Sequence, residues 1–493
     1  MSDFKSIDFG KADANKERGS STLLLDGFFD NGFINQILKG EKYFVIGLKG
    51  SGKSAIGSRL ELLSREKGDM KVLLRDLNDF DYTGFGGLVP GTRSDDERYH
   101  DAWRFLLSIS FIGMYDDEAL DVLDQDVDYK NVAKGLKEVG LLPDKNFNNI
   151  IDKIKRKNLN ISAAGYSIGI SNNELPDSRI KKMISNTNNA LISVSPKILN
   201  LIVIDGLDSI LTKRQNQYKV LSGLIYVTDR LNTLFSDLEI KSRVVVLCRT
   251  DVLDKLSDPN KTKYIIDSGL MLDWYQSESE RIEDNNLCKL VNRRASASLK
   301  REVDVFKEFF PKTIGNSDKP MAHYLLDRTR HMPRDIIQLM NFIQRESGSF
   351  VTERSIRKGI NCYSEEYFLS EIRDDFVGFL TDEEVDGVLK IIRLIGYTTT
   401  TIQEMERIAK SKNIDVDLLK ILEVFYDEGV IGNIEYRQNR FSNDGPSIRY
   451  HYRFRNKSLP FNETQTIHIH AGLHKALNLN NRENTPEYNP DAD

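Results

Sequence analysis

The chain has 493 residues, 40% of them hydrophobic and 29% charged, a composition typical of a globular protein with about three domains. Its 69 basic and 74 acidic residues give a net charge of −5, which excludes a surface that is cationic overall and binds nucleic acid through bulk charge. No apolar run approaches the roughly 18 residues of a membrane span, and the amino terminus lacks a signal-peptide pattern, so we expect a cytoplasmic protein.

The order of the predicted elements indicates an α/β fold. A short apolar strand at Tyr43–Ile46 leads into a glycine-rich loop, and apolar residues at three-to-four spacing predict a helix over Lys53–Arg65. Further strands are predicted at Lys71–Leu77, Leu201–Ile204, Arg243–Cys248 and Leu270–Leu272. Because helical stretches separate these strands, we predict a parallel sheet covered by helices on both faces.

The glycine-rich loop has the sequence Gly-Leu-Lys-Gly-Ser-Gly-Lys-Ser at positions 47–54. Its glycines allow backbone amides to face phosphate groups, and the following helix offers its amino end to negative charge. Lys53 would reach the β- and γ-phosphates, and the Ser54 hydroxyl would ligate Mg2+. The residues expected to contact the nucleotide are Gly47, Lys49, Gly50, Ser51, Gly52, Lys53, Ser54 and Ala55. A chance turn is the alternative, but the loop lies between a strand and a helix, as this phosphate-binding motif (the P-loop) requires.

Two later strands end in residues suited to the same site. Asp205 follows four apolar residues, and a carboxylate there would hold Mg2+ through its water shell. Three residues on, Asp208 would orient or polarise the attacking water. Arg249 ends the next predicted strand, where it would stabilise the charge of the γ-phosphate. The alternatives are ordinary turn carboxylates and a surface arginine.

A fourth candidate residue is Arg334, which follows Pro333 in the first turn of a predicted helix. Such a lid helix would close over the nucleotide, whereas the alternative is an exposed arginine at a helix start. The strand end at Cys248–Asp251 lacks the Asn-Lys pair that guanine recognition uses. ATP is therefore favoured over GTP.

Five segments are predicted along the chain. They are an amino-terminal segment (1–40), a P-loop ATPase core (41–277), a helical lid (278–375), a winged-helix domain (376–479) and a disordered polar tail (480–493). About residues 78–200 of the core form a helical insertion, in which 158–171 alternate like a hairpin.

The predicted wing carries a run of alternating aromatic and basic residues. The alternation places Tyr450, Tyr452 and Phe454 on one strand face. The opposite face receives Arg449, Arg453 and Arg455. These arginines either lie along a DNA backbone or form the solvated face of a domain whose core the aromatic rings fill.

These motifs together resemble the STAND and NACHT-like ATPases and the AAA+-related initiator ATPases of origin recognition. The chain also resembles a family of bacterial P-loop ATPases with the same Lys-Gly-Ser-Gly-Lys-Ser loop, an early Phe-Gly-x-Ala-Asp-Ala stretch (9–14), a Pro-Arg-Asp-Ile-Ile helix and an Ile-His-x-x-x-Gly-Leu ending. The resemblance implies a sheet of order 5-1-4-3-2, a switch between ATP-bound and ADP-bound forms, and oligomers in some relatives. The chain departs from the pattern at Gly206, which replaces the acid expected after the magnesium aspartate.

We therefore expect a Mg2+-dependent ATPase that acts as a regulatory switch on a protein partner, in bacterial antiviral defence or a mobile-element system, and that forms a homo-oligomer. A DNA-binding initiator ATPase is the first alternative. The second is a scaffold that holds nucleotide without hydrolysing it.

Overall fold

The computed structural model describes residues 3–17, 21–89, 95–116, 119–142, 146–156, 176–207, 215–256, 260–276, 281–315, 318–437 and 447–482. Within these ranges, no helix combines the length and the hydropathy that a membrane crossing requires. The chain divides into two compact units. The sheet unit comprises Asp30–Leu48 and Lys53–Leu272, and the lid unit comprises Met1–Phe29, Lys49–Gly52 and Asp273–Asp493. The tip of the phosphate-binding loop, Lys49–Gly52, therefore belongs to the lid unit.

A parallel sheet forms the centre of the sheet unit. The strands of this unit are β1 (Phe44–Gly47), β2 (Met70–Asp76), β3 (Leu120–Val122), β4 (Val194–Pro196), β5 (Leu199–Asp205), β6 (Ser242–Arg249) and β7 (Gly269–Met271). The central sheet has the order β2-β5-β6-β1-β7 with parallel pairs throughout, and β3 pairs with β4 in a separate antiparallel ribbon. The predicted α/β fold with a parallel sheet is confirmed. Numbered along the chain, its five strands have the order 5-1-4-3-2 that the resemblance implied.

The central strands are apolar because helices cover both faces. Leu201–Ile204 in β5 and Val244–Leu247 in β6 are almost completely buried, and such uninterrupted apolar runs are typical of internal parallel strands. The helices of the sheet unit follow the first helix of the chain, α1 (Ser21–Leu25), which lies in the lid unit. They are α2 (Phe33–Lys39), α3 (Lys53–Lys67), α4 (Tyr82–Gly86), α5 (Asp95–Met114), α6 (Tyr129–Glu138), α7 (Phe147–Arg156), α8 (Pro176–Ile192), α9 (Gln215–Asp237), α10 (Thr250–Lys255) and α11 (Lys261–Ser268).

The predicted insertion contains helices α4 to α8 together with β3 and β4. It packs into the sheet unit through α5, where the buried Trp103 indole donates to the carbonyl of Val220 in α9 at 2.7 Å. The hairpin predicted at 158–171 lies outside the described residues.

Helices form the first half of the lid unit. They are α12 (Asn286–Leu299), α13 (Val305–Glu308), α14 (Met321–Leu326), α15 (Pro333–Glu346), α16 (Glu353–Cys362) and α17 (Leu369–Phe376). A π-helical turn at Tyr363–Phe368 joins α16 to α17 without a break. Helix α15 begins at Pro333, a position where the missing amide hydrogen costs no intrahelical hydrogen bond. Its apolar face is buried in the core of the unit through Ile336, Leu339 and Ile343.

The amino-terminal residues are part of the same core. Phe4 and Phe9 are almost fully buried in it. The Arg294 guanidinium donates to the carbonyl of Phe9 at 2.7 Å and forms a buried ion pair with Glu17 at 2.9 Å. The early Phe-Gly-x-Ala-Asp-Ala stretch thus anchors the amino terminus to α12.

A winged helix forms the second half of the lid unit. Its elements are α18 (Asp382–Ile395), β8 (Thr399–Thr400), α19 (Ile402–Ser411), α20 (Leu418–Asp427), β9 (Ile431–Arg437), β10 (Ser447–His451) and β11 (Thr466–Ile469). The strands form a four-stranded sheet of order β10-β9-β11-β8, which is larger than the two-stranded wing that the sequence predicted. The backbone of Asn480 bonds to Thr398 and Gly396, so the folded domain extends into the segment predicted as a disordered tail.

Candidate active site

The phosphate-binding loop connects β1, which ends at Gly47, to α3, which begins at Lys53. The Lys53 side chain is buried, and its ammonium donates to the carbonyls of Gly47 at 3.1 Å and Leu48 at 3.0 Å. Ser54 is the next residue, in the first turn of α3. The Lys53 ammonium therefore bonds to backbone carbonyls of its own loop.

Three of the sequence-predicted site residues meet at the carboxyl edge of the sheet. Asp205 ends β5 and Arg249 ends β6, and Arg249 is the register partner of Gly47 at the end of β1. One carboxylate oxygen of Asp205 accepts from the amide of Gly206 at 2.8 Å. Since β6 lies between β5 and β1, Asp205 and Gly47 lie on opposite sides of Arg249.

Arg249 has a carboxylate partner that the sequence analysis did not assign. Its Nε and Nη2 atoms donate to the two oxygens of Asp251 at 2.9 and 2.8 Å, and the arginine is 4% exposed. Such a bidentate pair fixes the plane of the guanidinium. The predicted catalytic carboxylate, Asp208, lies outside the described residues.

A second charged cluster surrounds the tip of the loop within the lid unit. The Lys49 ammonium lies 2.7 Å from Asp375 and 3.3 Å from Glu371, both in α17. The predicted lid residue Arg334 donates to the same Glu371 oxygen at 2.7 Å, and its backbone amide donates to the carbonyl of Gly50 at 3.3 Å. Glu371 thus bridges two cations beside the loop tip.

Gly50 allows this close approach because it has no side chain. Its φ of 81° is left-handed, and a Cβ atom at this position would lie 3.3 Å from Cβ of Arg334. On the same tip, the Trp274 indole donates to the carbonyl of Ser51 at 2.8 Å. Two hydrogen bonds from the lid unit therefore hold the tip: the Arg334 amide bonds to Gly50, and the Trp274 indole bonds to Ser51.

Asp375 connects the loop tip to the interior of the lid unit. It also forms an ion pair with the buried Arg330, which in turn pairs with Asp335 at 3.1 Å. Burial opposes the charged form of Asp375, but the Arg330 and Lys49 charges outweigh it and hold the pKa of this carboxyl below its ordinary value. A charged carboxylate at Asp375 is thus available to Lys49.

A further carboxylate lies beside Asp205. Asp76 ends β2 and is the register partner of Asp205, and its Oδ1 accepts from the amide of Asn78 at 2.8 Å. Gly206, which follows Asp205, has a φ of 79°. A Cβ atom on Gly206 would lie 2.0 Å from Oδ1 of Asp76. The sequence analysis missed Asp76 because nothing near it in sequence resembles a site motif.

The arginines of the wing do not share one exposed face, which corrects the prediction from alternation. Arg455 is largely buried, with its guanidinium 3.8 Å from Asp327, and Arg453 lies 3.5 Å from Asp427. The physical reason is that β10 ends at His451, so the period-two pattern does not continue to these arginines. Arg449 lies within the strand and is partly exposed.

The aromatic residues of the run pack together as the structural alternative predicted. A buried cluster contains Tyr450, Tyr452 and Phe454. The rings of Tyr452 and Phe454 stack with centroids 5.1 Å apart. These rings therefore form part of the winged-helix core.

Comparison with known proteins gives one family match and several similar structures. Residues 285–370 match a family described as the FunZ-associated C-terminal helical domain, and no curated protein matches the chain. The chain is similar to the Aeropyrum pernix ORC1 protein, solved in complex with DNA, with 12% identity, coverage of 92% of this chain and 93% of that chain, and a TM-score of 0.38. It is also similar to Cdc6p from Pyrobaculum aerophilum, with 13% identity, coverage of 97% and 98%, and a TM-score of 0.31.

The residues of the loop and the sheet edge fit a nucleoside triphosphate with Mg2+. The Ser51 hydroxyl is buried and has no hydrogen-bond partner among the residues that the structure describes, so it could donate to a phosphate oxygen. Ser54 and Asp205 offer one hydroxyl and one carboxylate as metal ligands. Mg2+ in nucleotide sites is commonly held by so few protein ligands, because the phosphates of the substrate and water supply the rest.

Proposed function

We propose that this chain is a Mg2+-dependent ATPase that works as a switch, changing conformation between ATP-bound and ADP-bound forms and passing the change to a protein partner. The observation that carries the proposal is the attachment of the loop tip to α17. Lys49 contacts Asp375 and Glu371, and Glu371 also holds Arg334. The cations beside the loop are thus paired with carboxylates that the phosphates of a nucleotide would replace.

The γ-phosphate is the group that distinguishes the two states. In the ATP-bound form it would bring negative charge and strong acceptor oxygens to the loop, whose Gly50 lies against Arg334. ATP would therefore draw Arg334 away from Glu371, whereas ADP would leave this ion pair in place. Loss of the pair would release Glu371 and the turn of α17 that carries it.

Helix α17 provides a route from the loop to the winged helix. Its last residue, Phe376, stacks on Phe425 of α20 with ring centroids 4.5 Å apart and an interplanar angle of 12°. The residue before it, Asp375, is held by Lys49 and Arg330. A displacement of α17 would change this stacked contact, and we therefore expect the surface that responds to the nucleotide to lie in the winged helix.

The sheet edge supplies the hydrolytic part of the proposal. Lys53 would neutralise the β- and γ-phosphates, Ser54 and Asp205 would hold Mg2+, and Arg249 would stabilise charge on the γ-phosphate. Mg2+ would neutralise the phosphate oxygens while the β,γ bond breaks. The rigid register of β1, β5 and β6 keeps these groups at fixed spacing.

The DNA-binding alternative is less well supported. It needs a basic surface on the wing, yet Arg455 and Arg453 lie beside Asp327 and Asp427 of the same chain. A role in antiviral defence rests on the family resemblance alone, as does the homo-oligomer.

Hydrolysis by the purified protein, with and without double-stranded DNA, tests the proposal. Lys53→Ala should lower Mg2+-dependent turnover by about 10²- to 10³-fold, because the ammonium is the principal fixed charge on the phosphates. The matched control is Lys67→Ala, which removes an exposed lysine at the other end of α3 and should keep the parental rate. Near-normal hydrolysis by Lys53→Ala would refute the proposal. Stimulation by DNA would favour the initiator alternative, and retention of ATP without turnover would favour the scaffold.

A further inference from the structure

Hydrolysis requires a group that accepts a proton from the attacking water, and the sequence does not supply one at the expected position. The residue after Asp205 is Gly206, which has no side chain. Asp208 was predicted as the substitute from its spacing alone, and it lies outside the described residues. The described part of the sheet edge contains another carboxylate in direct proximity to Asp205.

That carboxylate is Asp76, and the register of the sheet places it. Strands β2 and β5 are parallel partners over their whole length, and the last pair is Asp76 with Asp205. Neighbouring strands lie about 4.8 Å apart, and partners in register point to the same face. The hydrogen bond from the Leu77 amide to the carbonyl of Asp205, at 2.9 Å, continues the pairing beyond the last residue of β2. The two carboxylates therefore share one edge and one side of the sheet.

The conformation of Gly206 shows that the Asp76 carboxylate occupies the space of the missing side chain. A Cβ atom on Gly206 would lie 2.0 Å from Oδ1 of Asp76 and 2.8 Å from the backbone nitrogen of Leu77. The φ of 79° would in addition strain any residue other than glycine. The chain therefore lacks an acid at position 206 and has a carboxylate oxygen from the neighbouring strand at the same place.

We propose that Asp76 is the catalytic carboxylate of the ATPase, a role that rests on the function proposed above. A water oxygen attacks the γ-phosphorus, the bond from that phosphorus to the β,γ-bridging oxygen breaks, and its electron pair leaves with ADP. The Asp76 carboxylate accepts the proton that the attacking water loses and later releases it to solvent. Asp76 is exposed, so both the water and the released proton have a path to it.

Two other roles for Asp76 predict different results. A structural role would depend on Oδ1 as the acceptor for the Asn78 amide, which caps the turn after β2. A metal-binding role would make Asp76 a second acidic ligand beside Asp205. Asparagine at position 76 keeps the acceptor for Asn78 but has no charge and cannot take a proton, so it separates catalysis from turn capping.

The experiment compares Asp76→Asn with the parental full-length protein and with Asp79→Asn, a matched control that removes an exposed carboxylate three residues away. We measure the Kd for ATP, kcat and KM at a series of Mg2+ concentrations, and the thermal midpoint. The expected result for Asp76→Asn is a Kd within about twofold of parental and a kcat about 10²- to 10⁴-fold lower. The Mg2+ dependence of its residual rate should match the parental dependence, and Asp79→Asn should match the parent in every measurement.

Several results would overturn the assignment. Parental kcat in Asp76→Asn would exclude the role directly, and recovery of its kcat at high Mg2+ would make Asp76 a metal ligand. A lowered thermal midpoint with proportionate loss of ATP binding would make it structural. Loss of turnover in Asp208→Asn, with parental turnover in Asp76→Asn, would assign the carboxylate to Asp208. In all of these cases the proposed function stands as long as the parental protein hydrolyses ATP. If the parental protein binds ATP without turnover, both the hydrolytic function and the catalytic role of Asp76 are excluded.

Discussion

Replacement of Glu371 with glutamine should make ATP bind more tightly. Glu371 accepts from Arg334 at 2.7 Å and lies 3.3 Å from Lys49, and its side chain is 12% exposed. In the proposed mechanism, ATP separates Arg334 from this carboxylate so that the guanidinium can turn to the γ-phosphate. Glutamine preserves the shape of the side chain and removes its charge, which lowers the cost of that separation.

The magnitude follows from the kind of bond that is lost. A hydrogen bond to a charged group contributes about 1.5–3 kcal/mol when it is shielded from water, and the glutamine amide retains part of this as a neutral acceptor. A net gain of about 1.4 kcal/mol corresponds to a tenfold lower Kd for ATP. ADP affinity should change much less, because ADP has no γ-phosphate to receive Arg334.

The assay is calorimetric titration of Glu371→Gln with a non-hydrolysable ATP analogue and with ADP. The control is Glu366→Gln. Glu366 lies in the π-helical turn just before α17 and pairs with Arg345 at 2.6 Å, and no ion pair of the described residues joins it to the loop tip. An unchanged or weaker affinity for the ATP analogue in Glu371→Gln, relative to Glu366→Gln, would refute the competition between Glu371 and the γ-phosphate.

Three further outcomes are expected. Asp205→Ala should lose the Mg2+-dependent part of its ATP affinity, measured as the ratio of Kd values with Mg2+ and with EDTA; an unchanged ratio would place the metal elsewhere. Burial lowers the pKa of His474 from 6.5 to about 4, although its bond to the Ile469 carbonyl opposes this shift. Between pH 6.5 and about pH 4 the unfolded chain therefore binds more protons than the folded chain. The free energy of unfolding should fall by about 2 kcal/mol from pH 7.5 to pH 5 through His474. Denaturant titrations should show a weaker pH dependence in His474→Gln than in the parent. Arg455→Ala should lower the thermal midpoint because it removes a largely buried side chain and one cation from beside the buried Asp327, which keeps its pair with Lys319. Arg449→Ala should not lower it, and equal midpoints would contradict the burial argument.

The elements that the sequence predicted well are those with a local signal. Apolar runs bounded by glycine and charge located β1, β5 and β6 to within two residues, and the spacing of the glycines located the phosphate-binding loop between β1 and α3. The order of the sheet was implied by resemblance, since the pairing of distant strands leaves no mark in a single sequence.

The charges around the loop tip had no local signal. Glu371 and Asp375 lie more than 300 residues from Lys49 in the sequence, and the π-helical turn before α17 shifts the helical phase on which a face prediction depends. Asp76 was missed for a related reason, because its relation to Gly206 depends on the pairing of β2 with β5. The error at Arg455 arose where alternation was extended past the end of a strand at His451.

The bond from Trp274 to the carbonyl of Ser51 gives the protein an intrinsic optical reporter. The chain has two tryptophans, and the other, Trp103, lies in the sheet unit with its ring stacked on Phe80 at 5.2 Å. Trp103→Phe would therefore leave one indole whose hydrogen-bond partner is a residue of the phosphate-binding loop. Stopped-flow fluorescence of that variant would time the arrival of a nucleotide, the cleavage step and the departure of the product on an unlabelled chain.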